Sequence, residues 1–200
     1  MLNSFLTTLR EKKTDTADFR AAAHKLAELL AAKTGELIPE EKVKITTPIA
    51  KGQGSRIPHE IILLPVLRSG LALLPAFLRY FESARVGFVG MKRDEKTAIA
   101  HEYYRSIPPI TKKSLIILLD PMLATGGTAV DTITLLKKAG AKESQIIFVV
   151  CISAPEGEKI IRKKFPKVRM VIGARDQKLN AKKYIIPGMG DFGDRYFNNL

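Results

Sequence analysis

The stretch Leu115-Ile-Ile-Leu-Leu-Asp-Pro-Met-Leu-Ala-Thr-Gly-Gly-Thr128 decides the fold of this chain. Its apolar first part predicts a strand that is buried on both faces of a parallel sheet. Asp120 stands at the carboxyl end of that strand, where ligands bind in open α/β sheets. The small residues after it open a helix whose unpaired amide groups favour a phosphate, and Thr125 and Thr128 add hydroxyl donors. The segment therefore predicts a ribose-phosphate site in which Asp120 accepts hydrogen bonds from ribose hydroxyls.

Outward from this stretch, apolar and helical segments alternate along the chain. Nearly continuous apolar runs predict further buried strands at 60–66, 85–91, 145–152 and 168–172. Amphipathic stretches predict helices at 14–34, 128–139 and 155–164, and one more that ends near Phe81. This alternation predicts an α/β fold in which an open, mostly parallel sheet is flanked by helices. We expect residues 1–200 to form a single domain, because the sequence contains neither an internal repeat nor a domain-splitting linker.

Two segments do not fit the alternation. Residues 92–113 are charged and aromatic, and a connection of this length between two core strands is usually a functional lid or an extended hairpin. We therefore expect a β-hairpin-like flap at this place. Residues 42–60 are rich in turn-forming residues, and 51–55 are predicted to be a hairpin or a loop.

The composition argues against several classes of protein. Of the 200 residues, 46% are hydrophobic and 26% are charged, which is enough apolar content to bury a core. The sequence has no apolar run long enough to span a membrane, and its first residues do not resemble a signal peptide. Its single cysteine, Cys151, lies in an apolar strand and is expected to be a core thiol. We therefore expect a cytoplasmic protein that does not bind membranes.

The net charge of +13 is concentrated in the second half of the chain, above all between residues 159 and 183. Such a field attracts polyanions, which include nucleic acid and highly phosphorylated small substrates. A solvated helix face beside a surface strand has the same composition. The charge alone does not decide between these interpretations.

Further motifs are weaker. Gly188-Met-Gly190-Asp-Phe-Gly193 has the spacing of a dinucleotide-binding loop, but too few residues follow Gly193 to complete a βαβ unit. The turn after Asp120 lacks the lysine of a P-loop. No cluster of His and Cys has metal-ligand spacing, so we expect no metal held by protein ligands.

Several segments together resemble the type I phosphoribosyltransferases and, among these, the uracil phosphoribosyltransferases. The resemblance covers roughly residues 5–198 and rests on strings that occur in family order. These are Pro65-Val-Leu-Arg-Ser-Gly-Leu71, Ser83-Ala-Arg-Val86, Arg93-Asp-Glu95, Asp120-Pro-Met-Leu-Ala-Thr-Gly-Gly127, Ala154-Pro-Glu-Gly157 and Tyr184-Ile-Ile-Pro-Gly-Met-Gly-Asp191.

The resemblance implies a reaction in which uracil and phosphoribosyl pyrophosphate (PRPP) give UMP and diphosphate through an oxocarbenium-like transition state. It implies Mg²⁺ held mainly by PRPP and water, a homo-oligomer, and GTP as a candidate effector. It divides the chain into an N-terminal helical segment (1–35), a flap (92–113) and a C-terminal uracil-binding hood (174–200). The implied catalytic residues are Asp120, Arg68 and Arg93.

The resemblance also implies two sets of contacts. PRPP would contact Arg68, Arg93, Asp120, Pro121, Met122, Leu123, Ala124, Thr125, Gly126, Gly127, Thr128 and Asp191. Uracil would contact Ile185, Gly190, Asp191 and Phe192, mainly through main-chain groups.

The chain departs from the family pattern at a few positions. Phe192 replaces a small residue in the uracil loop, so we expect that its ring could tighten or reshape the pocket. Lys92 and Lys96 change the charge of the flap, and Lys178 replaces a usual glycine.

Three different functions are also compatible with the sequence. The first is that of an RNA-binding regulator on the same scaffold, for which the basic stretch 159–183 would be the contact surface, but its one aromatic residue is Phe165. Nucleic acid is therefore not the expected partner. The second is that of an enzyme for another base, such as a purine or orotate. The third is that of an inactive relative that senses uracil.

Overall fold

The computed structural model describes residues 1–93 and 100–199, with the backbone alone at 92, 93, 100 and 101. The helices are α1 (Leu2–Arg10), α2 (Thr16–Gly35), α3 (Leu74–Tyr80), α4 (Gly127–Lys138), α5 (Pro155–Lys164) and α6 (Phe192–Phe197). The strands are β1 (Glu41–Thr46), β2 (Lys51–Arg56), β3 (Glu60–Leu67), β4 (Arg85–Val86), β5 (Phe88–Arg93), β6 (Ala100–Ser106), β7 (Ser114–Leu119), β8 (Met122–Leu123), β9 (Ile146–Ser153), β10 (Arg169–Arg175), β11 (Lys178–Leu179) and β12 (Ile185–Ile186).

The central sheet has the strand order β10-β9-β7-β3-β5-β6, with the short strands β4 and β8 paired to β3 and β9. Neighbouring strands from β10 to β5 are parallel, whereas β6 runs antiparallel to β5. The carboxyl ends of the parallel strands therefore meet at one edge of the sheet, with β7 near its middle. The predicted open, mostly parallel sheet is confirmed.

Helices cover both faces of this sheet. Every residue of β7 and of β9 is buried, as their uninterrupted apolar sequences predicted. One face packs against α1, α2, α3 and α6, and the other against α4 and α5. Among the described residues, no helix is both long and apolar enough to cross a membrane.

Two hairpins extend the fold. β5 and β6 form an antiparallel hairpin, and after it Ile107 and Ile110 pack against the core before β7 begins. Residues 94–99, with Lys96 among them, and the side chains of Lys92, Arg93 and His101 lie outside the described part of the chain.

The second hairpin consists of β1 and β2 and is largely exposed. Its turn lies at Thr47–Ala50, where the Thr47 amide donates to the Ala50 carbonyl at 2.9 Å, so that residues 51–56 form a strand. A Cβ at Gly54 would lie 3.3 Å from the side chain of Ile45, so a glycine at this position leaves room for that side chain. The turn-rich composition of this region therefore reflects glycines that pair with a large side chain across the hairpin.

Phe192 joins α6 to the core. Its side chain is fully buried, its ring centroid lies 5.3 Å from that of Phe19 in α2, and it stacks on Tyr196 at 5.8 Å. The expectation that this ring could tighten or reshape the pocket was wrong. The ring packs between α2 and α6 because a fully apolar side chain is more stable there than at a solvent-exposed loop.

We expect Phe192→Ala to lower the free energy of unfolding by about 3–5 kcal/mol, because it leaves a cavity at a fully buried position. Urea unfolding measures this loss. Tyr80→Ala is the matched control, since Tyr80 is 53% exposed and should change stability by less than about 1 kcal/mol. Equal stability of the two variants would show that the Phe192 ring is not packed as described.

Candidate active site

Asp120 directly follows β7 at the edge where the parallel strands end. Its Oδ1 accepts a hydrogen bond from the Met122 amide at 3.4 Å, and its own amide donates to the Val149 carbonyl at 3.2 Å. The residue as a whole is half-buried, but protein atoms surround its carboxyl group. This burial raises the pKa of Asp120 to about 7, while the hydrogen bond from Met122 acts in the opposite direction. A carboxyl group perturbed in this way at a sheet edge is a candidate functional group.

The turn after Asp120 leads into the amino end of α4. Gly126 adopts a positive φ of 83°, and the hydroxyl of Thr125 accepts from the Gly127 amide at 3.5 Å. Gly126, which precedes α4, has no side chain that could cap the helix, and the bond from the Gly127 amide to Thr125 is long. The first amide groups of this helix can therefore turn to an anion, and the helix dipole favours negative charge at the same place.

Two glycines allow neighbouring segments to pack directly against this turn. A Cβ at Gly157 in α5 would lie 2.5 Å from the Ala124 carbonyl, and one at Gly70 would lie 2.4 Å from the Leu119 carbonyl. Both distances are shorter than a carbon and an oxygen tolerate without a shift of the backbone. Gly157 therefore fixes α5 against the turn, and Gly70 fixes the loop after β3 beside Asp120.

Arg68 lies in that loop, just before a short 3₁₀ turn (Ser69–Ala72). The Leu67–Arg68 peptide bond is cis. The guanidinium group of Arg68 is 3.6 Å from the Asp194 carboxylate, and the Arg68 side chain is 60% exposed. A long, exposed ion pair contributes little to stability, so an anionic ligand can compete for this arginine.

The hood encloses a cavity of about 770 Å³ beside the turn. The lining residues are Met122, Ala124, Ala181, Lys182, Lys183, Tyr184, Ile185, Ile186, Pro187, Gly188, Gly190, Asp191 and Asp194. Gly188 and Gly190 have positive φ values of 66° and 76°, which bend the chain tightly around the cavity. Much of the wall is therefore main chain, with its donors and acceptors close to any ligand in the cavity.

The structure brings together part of the predicted site. Met122 and Ala124 of the turn line the cavity together with three residues of the predicted uracil set, Ile185, Gly190 and Asp191. Asp120, Arg68 and Phe192 are not among the lining residues. Asp191 also caps α6, since its Oδ1 accepts from the Asp194 amide at 2.9 Å.

Two further predicted residues, Pro121 and Leu123, shape the turn. The Pro121 carbonyl accepts from the amides of Cys151 and Ile152 at 2.9 and 3.1 Å, and the Leu123 carbonyl accepts from Ala154 at 2.8 Å. These bonds tie the turn to the end of β9. Burial raises the pKa of the Cys151 thiol, and the nearby Asp120 charge acts in the same direction, which agrees with a core thiol rather than a reactive one.

Sequence reasoning missed the polar side chains of the cavity. Lys182, Lys183 and Asp194 line it, yet in the sequence they appear as ordinary surface charges. Lys183 adopts a positive φ of 66°, which is unusual for a residue with a side chain. The sequence offered one signal, the position of these lysines next to the string that starts at Tyr184.

The described residues contain no group of three or more His, Cys, Asp or Glu side chains that could hold a metal ion. Mg²⁺ usually keeps several waters and binds through substrate phosphates with at most one or two carboxylates.

The fold is shared with a solved phosphoribosyltransferase. The hypoxanthine-guanine phosphoribosyltransferase of Bacillus anthracis str. 'Ames Ancestor' superposes with a TM-score of 0.54 at 14% identity, over 80% of each chain. At this identity the likeness shows the fold alone, which is that of the type I phosphoribosyltransferases.

Sequence comparison then gives the family. A sequence model of the uracil phosphoribosyltransferase family matches residues 1–199. The uracil phosphoribosyltransferases of Campylobacter concisus (strain 13826) and Bacillus thuringiensis (strain Al Hakam) are 38% and 40% identical, over 98% and 96% of this chain and 93% and 91% of theirs. The AQ2163 protein of Aquifex aeolicus superposes with a TM-score of 0.88 at 36% identity, over 98% of this chain and 93% of its own. This chain belongs to the uracil phosphoribosyltransferase family.

The pKa of Asp120 predicts a pH-dependent effect of Asp120→Asn on stability. The pKa in the folded chain lies above its ordinary value of 3.8, so the folded chain holds this proton more tightly than the unfolded chain. The Asp120 carboxyl group therefore makes the fold less stable as the pH rises from about 4 to about 7, and asparagine does not titrate. We expect the variant to gain stability over the natural chain across this window and to keep that gain above it.

Urea unfolding of both proteins at several pH values between about 4 and 8 measures this difference. A difference in unfolding free energy that does not change with pH would contradict the assignment. A variant that is less stable at every pH would show that Asp120 mainly caps the turn.

Proposed function

We propose that this chain transfers the 5-phosphoribosyl group of PRPP to N1 of uracil, which gives UMP and diphosphate and serves pyrimidine salvage. One observation carries the proposal. An anion-binding turn (120–128) and a cavity walled largely by the main chain of residues 185–191 meet at the same edge of the sheet. The first suits the sugar phosphate, and the second suits a flat base.

PRPP fits the loops at this edge. The 5-phosphate binds the amides at the start of α4, helped by the hydroxyls of Thr125 and Thr128 and by the helix dipole. The ribose hydroxyls donate to Asp120. The diphosphate lies toward Arg68, whose exposed guanidinium suits an anion that must leave again. Arg93 ends β5 on the same edge and is proposed as the second arginine, although its side chain lies outside the described residues.

Uracil fits the cavity of the hood. A pyrimidine presents alternating donors and acceptors along one edge, and main-chain groups at Ile185 and Gly190 can pair with them. The positive φ of Gly190 brings its backbone close to the ligand. Phe192 takes part through its backbone alone, because its ring is buried in the core.

The reaction is a displacement at C1 of the ribose. The bond from C1 to the diphosphate oxygen breaks, and its electron pair leaves with the diphosphate. N1 of uracil supplies the pair for the new C1–N1 bond and gives its proton to water, because no side chain is assigned as its base. Positive charge builds on the ribose during this step, and the Asp120 carboxylate stabilises it more strongly than it stabilises bound PRPP.

A Mg²⁺ ion held mainly by PRPP oxygens and water would neutralise part of the negative charge that develops on the diphosphate. The protein supplies the rest of that stabilisation through Arg68 and Arg93.

The segment 92–113, which contains the end of β5 and all of β6, is proposed as the flap that covers the site. It starts where β5 ends, at the edge proposed to bind the ligand. Two of its side chains, Tyr103 and Tyr104, are 57% and 48% exposed. A cover is needed because water would otherwise hydrolyse PRPP at the same carbon. We also propose, on the family resemblance, a cytoplasmic homo-oligomer with GTP as an effector.

The structure argues against RNA binding by the basic stretch 159–183, because the one aromatic side chain of that stretch is buried. Phe165, the aromatic side chain within that stretch, is 7% exposed. Its ring also carries the Lys137 ammonium at 5.4 Å from its centroid. Base stacking on this stretch therefore has no exposed aromatic partner among the described residues.

Incubation of the protein with radiolabelled uracil, PRPP and Mg²⁺ tests the function, and we expect labelled UMP. Parallel reactions with hypoxanthine, guanine and orotate separate the enzyme from one that prefers another base. Binding of uracil without formation of UMP would favour an inactive uracil sensor and overturn the proposal.

Asp120→Asn belongs in the same assay, because it keeps the shape of the side chain and removes its charge. We expect its kcat to fall by roughly tenfold to a thousandfold, the order found for one electrostatic contributor to a transition state. Full turnover of this variant would remove Asp120 from the catalytic residues.

Arg68→Ala and Arg93→Ala should each lower kcat/KM for PRPP by roughly a hundredfold, since each removes a charge-assisted contact with the leaving diphosphate. Arg79→Ala is the control, because Arg79 is exposed on α3 and pairs with Glu28 away from the site. Steady-state kinetics with varied PRPP measure the effect. If both variants retain the kcat/KM of the control, the diphosphate does not bind at these arginines.

A further inference from the structure

The last residue of α1 reaches the loop that lines the cavity. Arg10 Nη1 and Nη2 donate to Asp176 Oδ2 and Oδ1 at 2.8 and 2.5 Å, which is a bidentate pair. Arg10 Nη1 also donates to the Gly188 carbonyl at 2.8 Å, and the Gly188 amide donates to Asp176 Oδ2 at 2.9 Å. Both polar groups of the Gly188 backbone are therefore held by one ion pair.

This pair is largely buried. The side chain of Asp176 is 3% exposed and that of Arg10 is 24% exposed. A buried ion pair contributes less to net stability than its distances suggest, because both charges lose their hydration. The pair instead contributes to geometry, because its hydrogen bonds can form in only one conformation of the Gly188 backbone.

The conformation that it holds is a demanding one. Gly188 has a positive φ of 66°, and a Cβ at this position would lie 2.2 Å from the Ile185 carbonyl. Gly188 lines the cavity, as do Pro187 before it and Gly190 after it. A change at Gly188 would therefore move main-chain groups on both sides of it that face the ligand.

A second guanidinium group holds the next residue of the loop. Arg195 of α6 donates to the carbonyls of Met189 at 2.9 Å and of Glu11 at 2.7 Å, and it also bonds the Leu9 carbonyl. Loop residues 188 and 189 are thus both tied to the carboxyl end of α1. Neither Arg10 nor Asp176 is among the residues that line the cavity.

We propose that Arg10 and Asp176 are positioning residues that fix the main chain of loop 187–190 and thereby set the affinity for uracil, an inference that rests on the proposed function. They act through Gly188 and do not touch the base. Their loss should therefore weaken the binding of uracil and leave the binding of PRPP and the chemical step nearly unchanged.

Two conservative variants test the pair. Asp176→Asn keeps the shape of the side chain but removes the charge and one acceptor, and Arg10→Lys keeps the charge but loses the planar fork. We expect each to raise KM for uracil by roughly tenfold or more, with KM for PRPP and kcat at saturating uracil within about twofold. The double variant Arg10→Lys with Asp176→Asn should raise KM for uracil by less than the product of the two single effects, because both changes act on one structure.

Leu136→Ala is the control for a general loss of stability. Leu136 is fully buried near the far end of α4, in the core on the opposite face of the sheet. We expect this control to lower the melting temperature without changing KM for uracil. If Asp176→Asn and Arg10→Lys behave in the same way, the pair is only structural and the inference is overturned.

Hydrogen exchange provides a readout that does not need activity. The amide of Gly188 should exchange faster in Asp176→Asn and in Arg10→Lys than in the natural chain. In Leu136→Ala its exchange should change only as much as the loss of global stability requires. Unchanged exchange in both variants would overturn the inference that Arg10 and Asp176 fix loop 187–190. A natural chain that makes no UMP would overturn the proposed function instead, and faster exchange at Gly188 in the variants would still show that the pair fixes the loop.

Discussion

The burial of β7 on both faces is the constraint on which the rest of the structure depends. Ile116 and Ile117 face opposite cores, and the first ionisable side chain appears where the strand ends, because an unpaired charge is costly in either core. The parallel neighbours of β7 end at the same edge. Their loops therefore converge on Asp120, and the close packing of Gly70 and Gly157 fixes those loops relative to the turn.

At Asp120 the same edge combines a rigid backbone with a carboxyl group of raised pKa. The carbonyls of Pro121 and Leu123 are satisfied by β9, so the backbone of the turn is held firmly. Among the described residues, the carboxyl group of Asp120 accepts one long hydrogen bond. Its pKa is raised because burial destabilises the charged form. The turn thus joins a firmly bonded backbone to a carboxyl group with few protein partners among the described residues.

Much of this was predictable because the physical cause is local in sequence. Strands buried on both faces need uninterrupted apolar runs, and the turn after Asp120 needs small residues, so both can be recognised in a single segment. The direction of the Phe192 ring was not predictable, because α6 is short and its orientation depends on Phe19, far away in the chain. The pair of Arg10 and Asp176 left no signal either. The two residues are 166 positions apart, and each stands among other charges. The sequence pattern did not mark α1 as a helix of its own, because only Leu6 and Leu9 form its buried face. Only the family resemblance implied helix there, within the segment 1–35.

The contacts between α1 and the hood also bear on how the chain folds. Arg10 and Gly188 are 178 positions apart, and the bond from Arg195 to Leu9 spans 186. Contacts between residues so far apart in sequence close very large loops. The entropy that the chain loses on loop closure must be overcome before such contacts add stability. During synthesis, the first helix leaves the ribosome long before its partners exist. The parallel sheet and the turn after Asp120 can form earlier, so the cavity of the hood is the part of the protein that is completed last.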